Sequence, residues 1–315
     1  MKNTPLNILF GCILGVMATL AVAQTSQPAP AAASASAAAA KPSGTGTIVH
    51  PVSKNITDRL TKSTRHMDIV KIKQGDREVE TLVYYPLGKN KAASVILIYE
   101  IFGLSDWVRA AADQLAEAGY VVLVPDLLSG TGPNKGGTND IPESQITASV
   151  QRLPAAQVMD DLSAVVDYAK KLPTSDGNIV VAGFCWGGGK AFSFATVNPD
   201  IKAAFVFYGA SPATADMAKI NCPVYGFYGE NDRNLAGGVP GTQTNMKAAG
   251  KTYDAVVYAG ANHGFMRSGQ MDNASAADKK AAEDSWTRML DLLKKIDAPA
   301  APKPAAASAS ASAKS

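Results

Sequence analysis

The chain has 315 residues, and its 30 Lys and Arg against 27 Asp and Glu give a net charge of +3. The basic residues form no blocks, which argues against a nucleic-acid-binding protein. Apolar residues make up 46% of the chain, which is enough for a sizeable core and excludes a largely disordered protein.

The first 23 residues are typical of a secretory signal peptide. Lys2 supplies an early positive charge, the apolar run over 8–23 is shorter than the ~20 residues of a membrane-spanning helix, and Ala21-Val22-Ala23 fits a cleavage site. Residues 9–12 faintly resemble a lipoprotein box, but the apolar run continues past Cys12, which argues against lipidation. We therefore expect export, to the periplasm, without stable membrane insertion after cleavage.

Two low-complexity segments flank the central part of the chain. Residues 24–46 consist mainly of Ala, Ser and Pro, and residues 298–315 of Ala, Pro, Ser and Lys. Such segments have too little apolar surface to offset the entropy of ordering, so we expect a disordered linker and a disordered tail. Residues 47–297 between them are long enough for one large domain.

Short β-type runs alternate with helical patterns through this domain, and continuous apolar runs such as 94–99 are typical of parallel strands covered on both faces. The pattern predicts an α/β fold, a doubly wound, mostly parallel sheet of about eight strands that opens with a hairpin. The predicted strands are 67–73, 78–85, 93–99, 120–125, 178–183, 203–208, 223–228 and 253–259. The predicted helices are 105–118, with Ser105 as N-cap, 156–172, 187–196, 242–249 and 276–296, while 127–154 is interpreted as a glycine-rich loop.

The stretch Gly183-Phe-Cys185-Trp-Gly187 connects a predicted strand to a predicted helix and has the pattern of a nucleophile elbow. The flanking glycines leave room for a strained turn, and the positive end of a helix favours a thiolate, which is a strong nucleophile. A phosphate-binding loop does not fit, since Phe184 stands where its first glycine belongs and Ala191 lacks the hydroxyl. A structural cysteine in a helix-packing turn is the alternative.

Polar residues follow several of the predicted strands at their carboxyl ends, where ligands bind in doubly wound sheets. They are Glu100, Asp126, Cys185, Asp232 and His263. Nucleophile, acid and histidine therefore come in the chain order of an α/β-hydrolase, so we expect them to converge at one edge of the sheet.

His263 is the candidate catalytic base, because His50 lies at the linker boundary and His66 precedes the first strand, where a surface position is expected. Asp232 is the candidate that orients His263 by accepting its Nδ1 hydrogen. Glu230 is the alternative acid, although it lies nearer the strand end.

Four motifs in order resemble those of the dienelactone hydrolase family of α/β-hydrolases. They are Glu100-Ile-Phe-Gly103, Gly183-Phe-Cys-Trp-Gly-Gly188, Gly229-Glu-Asn-Asp232 and His263-Gly-Phe-Met-Arg267, within a match over 68–296. The resemblance implies a Cys185-His263-Asp232 triad that opens a lactone or an activated ester through an acyl-cysteine intermediate, with no metal and no cofactor.

The resemblance also implies roles for residues around the triad. In relatives, the glutamate equivalent to Glu100 contacts the resting cysteine and moves away when substrate binds. The N–H groups of Ile101 and Trp186 would form the oxyanion hole, and Arg267 would bind a substrate carboxylate.

The second carboxylate-binding arginine and a nearby tyrosine of the family would fall at Glu143 and Thr147, which is a departure from the pattern. Whether Arg152 substitutes is open. The expected partner is a small lactone or ester, and we expect a monomer. A general carboxylesterase, a noncatalytic ligand-binding protein and a redox sensor remain alternatives.

Cys185 and Cys222 are the two cysteines that remain after cleavage of the signal peptide. One follows its strand and the other precedes a strand, which would separate them by roughly 15 to 20 Å, beyond the ~7 Å Cα limit of a disulfide. We therefore expect two free thiols.

Overall fold

A computed structural model describes residues 54–88 and 91–297. The expected signal peptide, linker and C-terminal tail lie outside the described residues, as does His50. Among the helices of the described ranges, none combines the length and the apolar character needed to cross a membrane.

The described chain forms an alternating series of strands and helices. The strands are β1 Met67–Gln74, β2 Arg77–Tyr84, β3 Ala92–Ile98, β4 Val121–Pro125, β5 Ser175–Phe184, β6 Ala203–Phe207, β7 Val224–Gly229 and β8 Tyr253–Tyr258. The helices are α1 Lys54–Lys62, α2 Asp106–Glu117, α3 Glu143–Gln151, α4 Ala155–Lys171, α5 Trp186–Phe194, α6 Thr214–Met217, α7 Arg233–Ala248, α8 Phe265–Ser268 and α9 Ala276–Asp297.

The strands form one sheet in the order β1-β2-β4-β3-β5-β6-β7-β8. β1 pairs antiparallel with β2, and β2 with β4, whereas the pairings from β4 through β8 are parallel. Every residue of β3 is buried, as expected of a parallel strand covered by helices on both faces. The predicted doubly wound α/β-hydrolase fold, its opening hairpin and its eight strands are confirmed.

The strand order reverses around β3, since β4 lies on one side of it and β5 on the other. A crevice forms at the carboxyl ends of strands where such a reversal occurs, and ligands bind there. Glu100 follows β3 and Cys185 follows β5. The topology therefore brings two of the candidate residues to this crevice.

Buried phenylalanines stabilise the strand ends beneath the crevice. Phe184, Phe207 and Phe227 occupy paired positions on β5, β6 and β7. Their ring centroids are 4.7 Å apart for the first pair and 4.2 Å for the second. Burial of each ring contributes about 1.5 to 3 kcal/mol. This packing fixes the strand ends from which Cys185 and Tyr208 project.

Several helices differ from the sequence-based expectation: α1, α6 and α8 were not predicted, and α3 and α7 differ in position or extent. Part of the region interpreted as a loop, residues 143–151, forms α3, in which only Ile146 and Val150 are buried. Two apolar positions four residues apart give a weak helical pattern. α7 begins at Arg233 rather than at 242 and includes Pro240. The poor helix propensity of the glycines and proline in this segment favoured a later start in the sequence-based prediction.

Candidate active site

The backbone at Cys185 has the strained geometry of a nucleophile elbow. Its φ is 55° and its ψ is −117°, a conformation rarely adopted by residues other than glycine. A Cβ on Gly183 would lie 2.1 Å from the Gly187 carbonyl oxygen, and a Cβ on Gly187 would lie 2.3 Å from the Tyr99 carbonyl oxygen. The turn can therefore form only because both flanking residues lack side chains, and it presents Cys185 at the start of α5.

Cys185, His263 and Asp232 form a hydrogen-bonded chain. The Cys185 Sγ lies 3.0 Å from His263 Nε2, and His263 Nδ1 lies 2.5 Å from Asp232 Oδ2. The three residues come from the ends of β5 and β7 and from the loop after β8, a sequence span of up to 78 residues. The structure therefore brings the predicted triad together in the geometry needed for proton transfer between sulfur and imidazole.

The charge state of His263 is set by these two partners. The hydrogen bond to Cys185 is the main cause that raises the pKa of His263 to about 9, the Asp232 carboxylate adds to it, and partial burial opposes it. The imidazolium is therefore stabilised at neutral pH. An imidazolium beside the sulfur favours the thiolate, the nucleophilic form of cysteine.

Glu230, the alternative acid, has a different partner. Its Oε2 accepts a hydrogen bond from the Gly260 N–H at 2.9 Å, while Asp232 contacts the histidine. Asn231 between them donates its amide to the Gly260 carbonyl at 2.9 Å. Asp232 thus orients His263, and its two preceding neighbours connect this loop to the loop that carries His263.

Glu100 and Arg267 form a buried ion pair beside the triad. Arg267 Nε donates to Glu100 Oε2 at 2.8 Å, and the Glu100 side chain is only 3% exposed. Burial raises the pKa of Glu100, and the positive charge of Arg267 partly offsets this rise. The guanidinium also lies 4.9 Å from the ring centroid of Phe102. Within the described residues, Glu100 bonds to Arg267 and Cys185 to His263, and no hydrogen bond joins Glu100 to Cys185.

Tyr208 belongs to the site although it was not predicted from the sequence. It follows β6 with a φ of 38°, and its ring centroid is 5.1 Å from that of His263. Burial, and next the Glu100 charge, raise the pKa of Tyr208 well above its ordinary value. Its hydroxyl lies near Glu100 without reaching hydrogen-bond geometry. Its position directly after a buried strand at the same sheet edge is the signal that could have identified it.

The backbone N–H groups of Trp186 and Ile101 are those expected to form the oxyanion hole. Trp186 is the first residue of α5, where helix N–H groups lack intrahelical partners, and Ile101 lies in the turn after β3. Neither N–H donates a hydrogen bond within the part of the chain that the structure describes. Both are therefore available to a ligand oxygen.

Asp126, which the sequence also places at this edge, has a structural role. It is buried and accepts hydrogen bonds from the Thr138 N–H at 2.6 Å, the Thr138 hydroxyl at 2.7 Å and the Leu128 N–H at 3.1 Å. These bonds hold the segment after β4 against Gly103, where a Cβ would lie 2.9 Å from Thr138. Asp126 therefore does not join the triad.

The residues at the position of the missing second arginine lie on α3. Glu143 begins this helix and Arg152 caps its end, and both are exposed. Thr147 is partly buried. None of the three has a hydrogen bond or ion pair with Arg267 among the described contacts. The arrangement supplies one arginine, already paired with an acid, where the family resemblance implies two.

The remaining candidates lie elsewhere. His66 is exposed and lies 2.9 Å from Asp68, consistent with a surface residue. Cys185 and Cys222 are unbridged in the structure, and burial raises the pKa of Cys222 to about 11. The expectation of two free thiols stays a prediction. Over 54–88 and 91–297, no group of three His, Cys, Asp or Glu side chains is placed to hold a metal ion.

Comparisons with known proteins place the chain in a family. Residues 79–297 match the profile of the dienelactone hydrolase family. A relative from Methylorubrum extorquens, named "Putative carboxymethylenebutenolidase", is 30% identical over 79% of this chain and 88% of its own length. A protein of the same name from Escherichia coli K12 is 32% identical over 64% of this chain and 76% of its own.

A solved structure shows the same fold. The crystal structure of a Klebsiella pneumoniae protein titled "Putative Dienelactone Hydrolase" superimposes with a TM-score of 0.65 at 26% identity, and covers 74% of this chain and all of that one. The family match spans the loops that carry all three members of the triad. The chain therefore belongs to the dienelactone hydrolase family and is a dienelactone hydrolase-like hydrolase of the α/β-hydrolase fold.

Proposed function

We propose that this protein is a cysteine hydrolase that opens small lactones or cleaves activated esters through an acyl-cysteine intermediate. The observation that carries the proposal is the contact of Cys185 Sγ with His263 Nε2 at 3.0 Å on a strained elbow. The names of the two relatives, which refer to opening of a butenolide lactone, support the choice of lactones.

The reaction follows from this geometry. The Cys185 thiolate attacks the carbonyl carbon, a C–S bond forms, and the carbonyl electron pair moves onto oxygen, where the N–H groups of Ile101 and Trp186 stabilise it. As the tetrahedral intermediate collapses, the C–O bond to the leaving oxygen breaks and that oxygen takes the Nε2 proton of His263.

Hydrolysis of the acyl-cysteine reverses these roles. Neutral His263 accepts a proton from water while the water oxygen attacks the thioester carbonyl. The C–S bond then breaks, which releases the carboxylic acid and regenerates the thiolate beside the imidazolium. Asp232 keeps Nδ1 protonated throughout, so that Nε2 is the nitrogen that exchanges the proton.

The pairing of Arg267 with Glu100 supports a second candidate, a general carboxylesterase for small or aromatic esters. A substrate carboxylate would compete with Glu100 for the single arginine, and the second family arginine is absent. Selectivity for anionic lactones would then be weak. The ratio of kcat/KM for an anionic lactone to that for a neutral ester of similar size separates the two candidates.

The sequence supports export and action in the periplasm, on the pattern of residues 1–23. We infer a monomer whose partner is a small-molecule substrate.

The experiment that tests the proposal is a screen of lactones and esters against the wild-type protein and Cys185→Ala. Turnover that disappears in the variant supports a cysteine hydrolase. Ligand binding without turnover by either protein would favour a noncatalytic binding protein.

A further inference from the structure

A buried carboxylate outside the triad holds the loop that carries both His263 and Arg267. This loop, residues 259–269, is termed the histidine loop here. Asp278, on the first turn of α9, is 5% exposed. Its Oδ1 accepts a hydrogen bond from the backbone N–H of Asn262 at 2.8 Å, and its Oδ2 accepts one from the hydroxyl of Ser268 at 3.2 Å. One side chain thus binds the residue before the histidine and the residue after the arginine.

The contact with Asn262 involves its side chain as well. The Asn262 amide nitrogen lies 3.1 Å from Asp278 Oδ2 and 3.3 Å from Oδ1. The amide oxygen of Asn262 lies 3.2 Å from the Asn231 amide nitrogen, next to Asp232. Asn262 therefore connects Asp278 on α9 to the loop that presents the triad aspartate.

Asp278 is itself fixed in place. Its backbone N–H donates to the Ser275 hydroxyl at 3.0 Å, which caps the start of α9. The backbones also approach closely, since a Cβ on Gly269 would lie 2.5 Å from the Asp278 carbonyl oxygen. The first turn of α9 therefore packs directly against the end of the histidine loop.

The partners of Asp278 require the ionised form of its carboxyl. Burial alone would raise the pKa of Asp278, but the hydrogen bonds from Asn262, Ser268 and Ser275 hold it below the ordinary value. No Lys or Arg of the described residues forms an ion pair with it. An ionised carboxylate only accepts hydrogen bonds, so it matches the backbone N–H and amide of Asn262 and the hydroxyl of Ser268, which all donate to it.

From this arrangement we infer that Asp278 is a positioning residue for the reaction: it sets the distance between His263 Nε2 and Cys185 Sγ by holding the histidine loop against α9. The inference rests on the proposed function. A shift of about 1 Å in a reacting group can reduce the rate about a hundredfold. Such a shift would break the 3.0 Å contact between Cys185 Sγ and His263 Nε2.

The test compares Asp278→Asn with Asp284→Asn. Asp284 lies on the same helix, is exposed, and pairs only with Lys280 in the described contacts, at 2.8 Å. Two quantities are measured: kcat for an activated ester, and the pH dependence of the rate at which iodoacetamide alkylates Cys185. The alkylation rate reports on the thiolate without requiring any turnover.

For Asp278→Asn we expect kcat to fall about ten- to a hundredfold, as for a displaced reacting group. The alkylation profile should move to higher pH, because a displaced His263 no longer stabilises the thiolate. Asp284→Asn should match the wild-type protein in both measurements. Wild-type kcat and an unshifted alkylation profile in folded Asp278→Asn would overturn the inference and leave Asp278 as a helix cap only.

Asn262→Ala provides a second variant if Asp278→Asn fails to fold. It removes the side-chain link but keeps the backbone N–H that Asp278 accepts, so a smaller shift in the same direction is expected. An unshifted alkylation profile in Asn262→Ala would then overturn the inference. If the wild-type protein hydrolyses no ester, the proposed function fails, while the alkylation profiles still decide the role of Asp278.

Discussion

Arg267 Nε donates a hydrogen bond to Glu100 Oε2 at 2.8 Å, so the arginine implied to bind a substrate carboxylate is already paired with a buried acid of the protein. The two residues are separated by 167 positions in the chain, and the pairing holds the loop after β3 against the histidine loop. Removal of the arginine therefore changes both substrate binding and the environment of a buried charge.

Arg267→Ala should lower the free energy of unfolding by about 3 to 5 kcal/mol at pH 8, because it leaves the buried carboxylate of Glu100 unpaired. The loss should be smaller at pH 5. The pKa of Glu100 is raised in the folded state, so the protonated form contributes stability at low pH that is lost as the pH rises above the ordinary glutamate value. Urea unfolding at both pH values measures this, and Glu100→Gln/Arg267→Ala is the matched control. Equal losses in the single and double variants would contradict the account.

Selectivity for substrate charge is tested in the Glu100→Gln background. Position 100 then carries no carboxylate, so loss of Arg267 leaves no unpaired charge there. Replacement of Arg267 by Ala in that background should raise KM for a carboxylate-bearing lactone, with a loss of roughly 1.5 to 3 kcal/mol, as for hydrogen bonds to charged groups. A neutral ester of similar size should be almost unaffected. If both substrates lose equally in kcat/KM, Arg267 supports the histidine loop and does not recognise substrate charge.

The triad acid and its neighbour should respond differently to neutralisation. Asp232→Asn removes the acceptor of the His263 Nδ1 hydrogen and should reduce kcat by several orders of magnitude, because the histidine loses its tautomer and orientation. Glu230→Gln should lose less than tenfold, since it only weakens the contact with the Gly260 N–H. Steady-state kinetics on one activated ester compares them. A larger loss in Glu230→Gln would identify Glu230 as the orienting acid.

The pH dependence of kcat/KM should have a descending limb near pH 9, where His263 loses the proton that the leaving group requires. The folded-state pKa of His263 is above 6.5, so its contribution to stability is full below pH 6.5 and is lost as the pH rises through about 9. Asp232→Asn should move the descending limb to lower pH, because the carboxylate helps to raise the pKa. An unchanged limb in that variant would show that another group titrates.

The elbow should not tolerate side chains on its glycines. Gly187→Ala would place a Cβ 2.3 Å from the Tyr99 carbonyl oxygen and 2.5 Å from that of Ile98, so β3 or α5 must move. We expect the free energy of unfolding to fall by about 3 kcal/mol or more, as is typical of severe core strain. Activity should fall as well. Gly237→Ala on α7, where a Cβ meets nothing within 4 Å, is the control that should remain stable. A stable, active Gly187→Ala protein would contradict the elbow geometry.

The sheet, and the three residues that form the hydrogen-bonded chain, could be predicted from the sequence because each signal is local. Cys185, Asp232 and His263 all follow apolar strands, and the ends of parallel strands meet at one edge of a sheet. The sequence distinguished Asp232 from Glu230 less clearly, since both follow β7. The choice depended on which side chain could reach the loop beyond the strand.

Other parts of the site depend on contacts between distant residues and could not be predicted. The pairing of Glu100 with Arg267 and the binding of the histidine loop by Asp278 join segments whose spacing carries no local pattern. Tyr208 has a positive φ, and the next residue, Gly209, lies against the backbone of α5, where a Cβ would lie 2.2 Å from the Gly188 carbonyl carbon. α3 was missed because only two of its residues are buried.

Intact-mass spectrometry can detect the covalent acyl intermediate that the proposed mechanism places on Cys185. Wild-type protein is mixed with an excess of an activated acetate ester and quenched with acid within the first turnovers, and Cys185→Ala is treated identically. We expect the wild-type protein to gain the mass of one acetyl group, the modified peptide to contain Cys185, and the variant to gain nothing. Rapid ester turnover with an unmodified Cys185, or equal acylation of the variant, would contradict the mechanism.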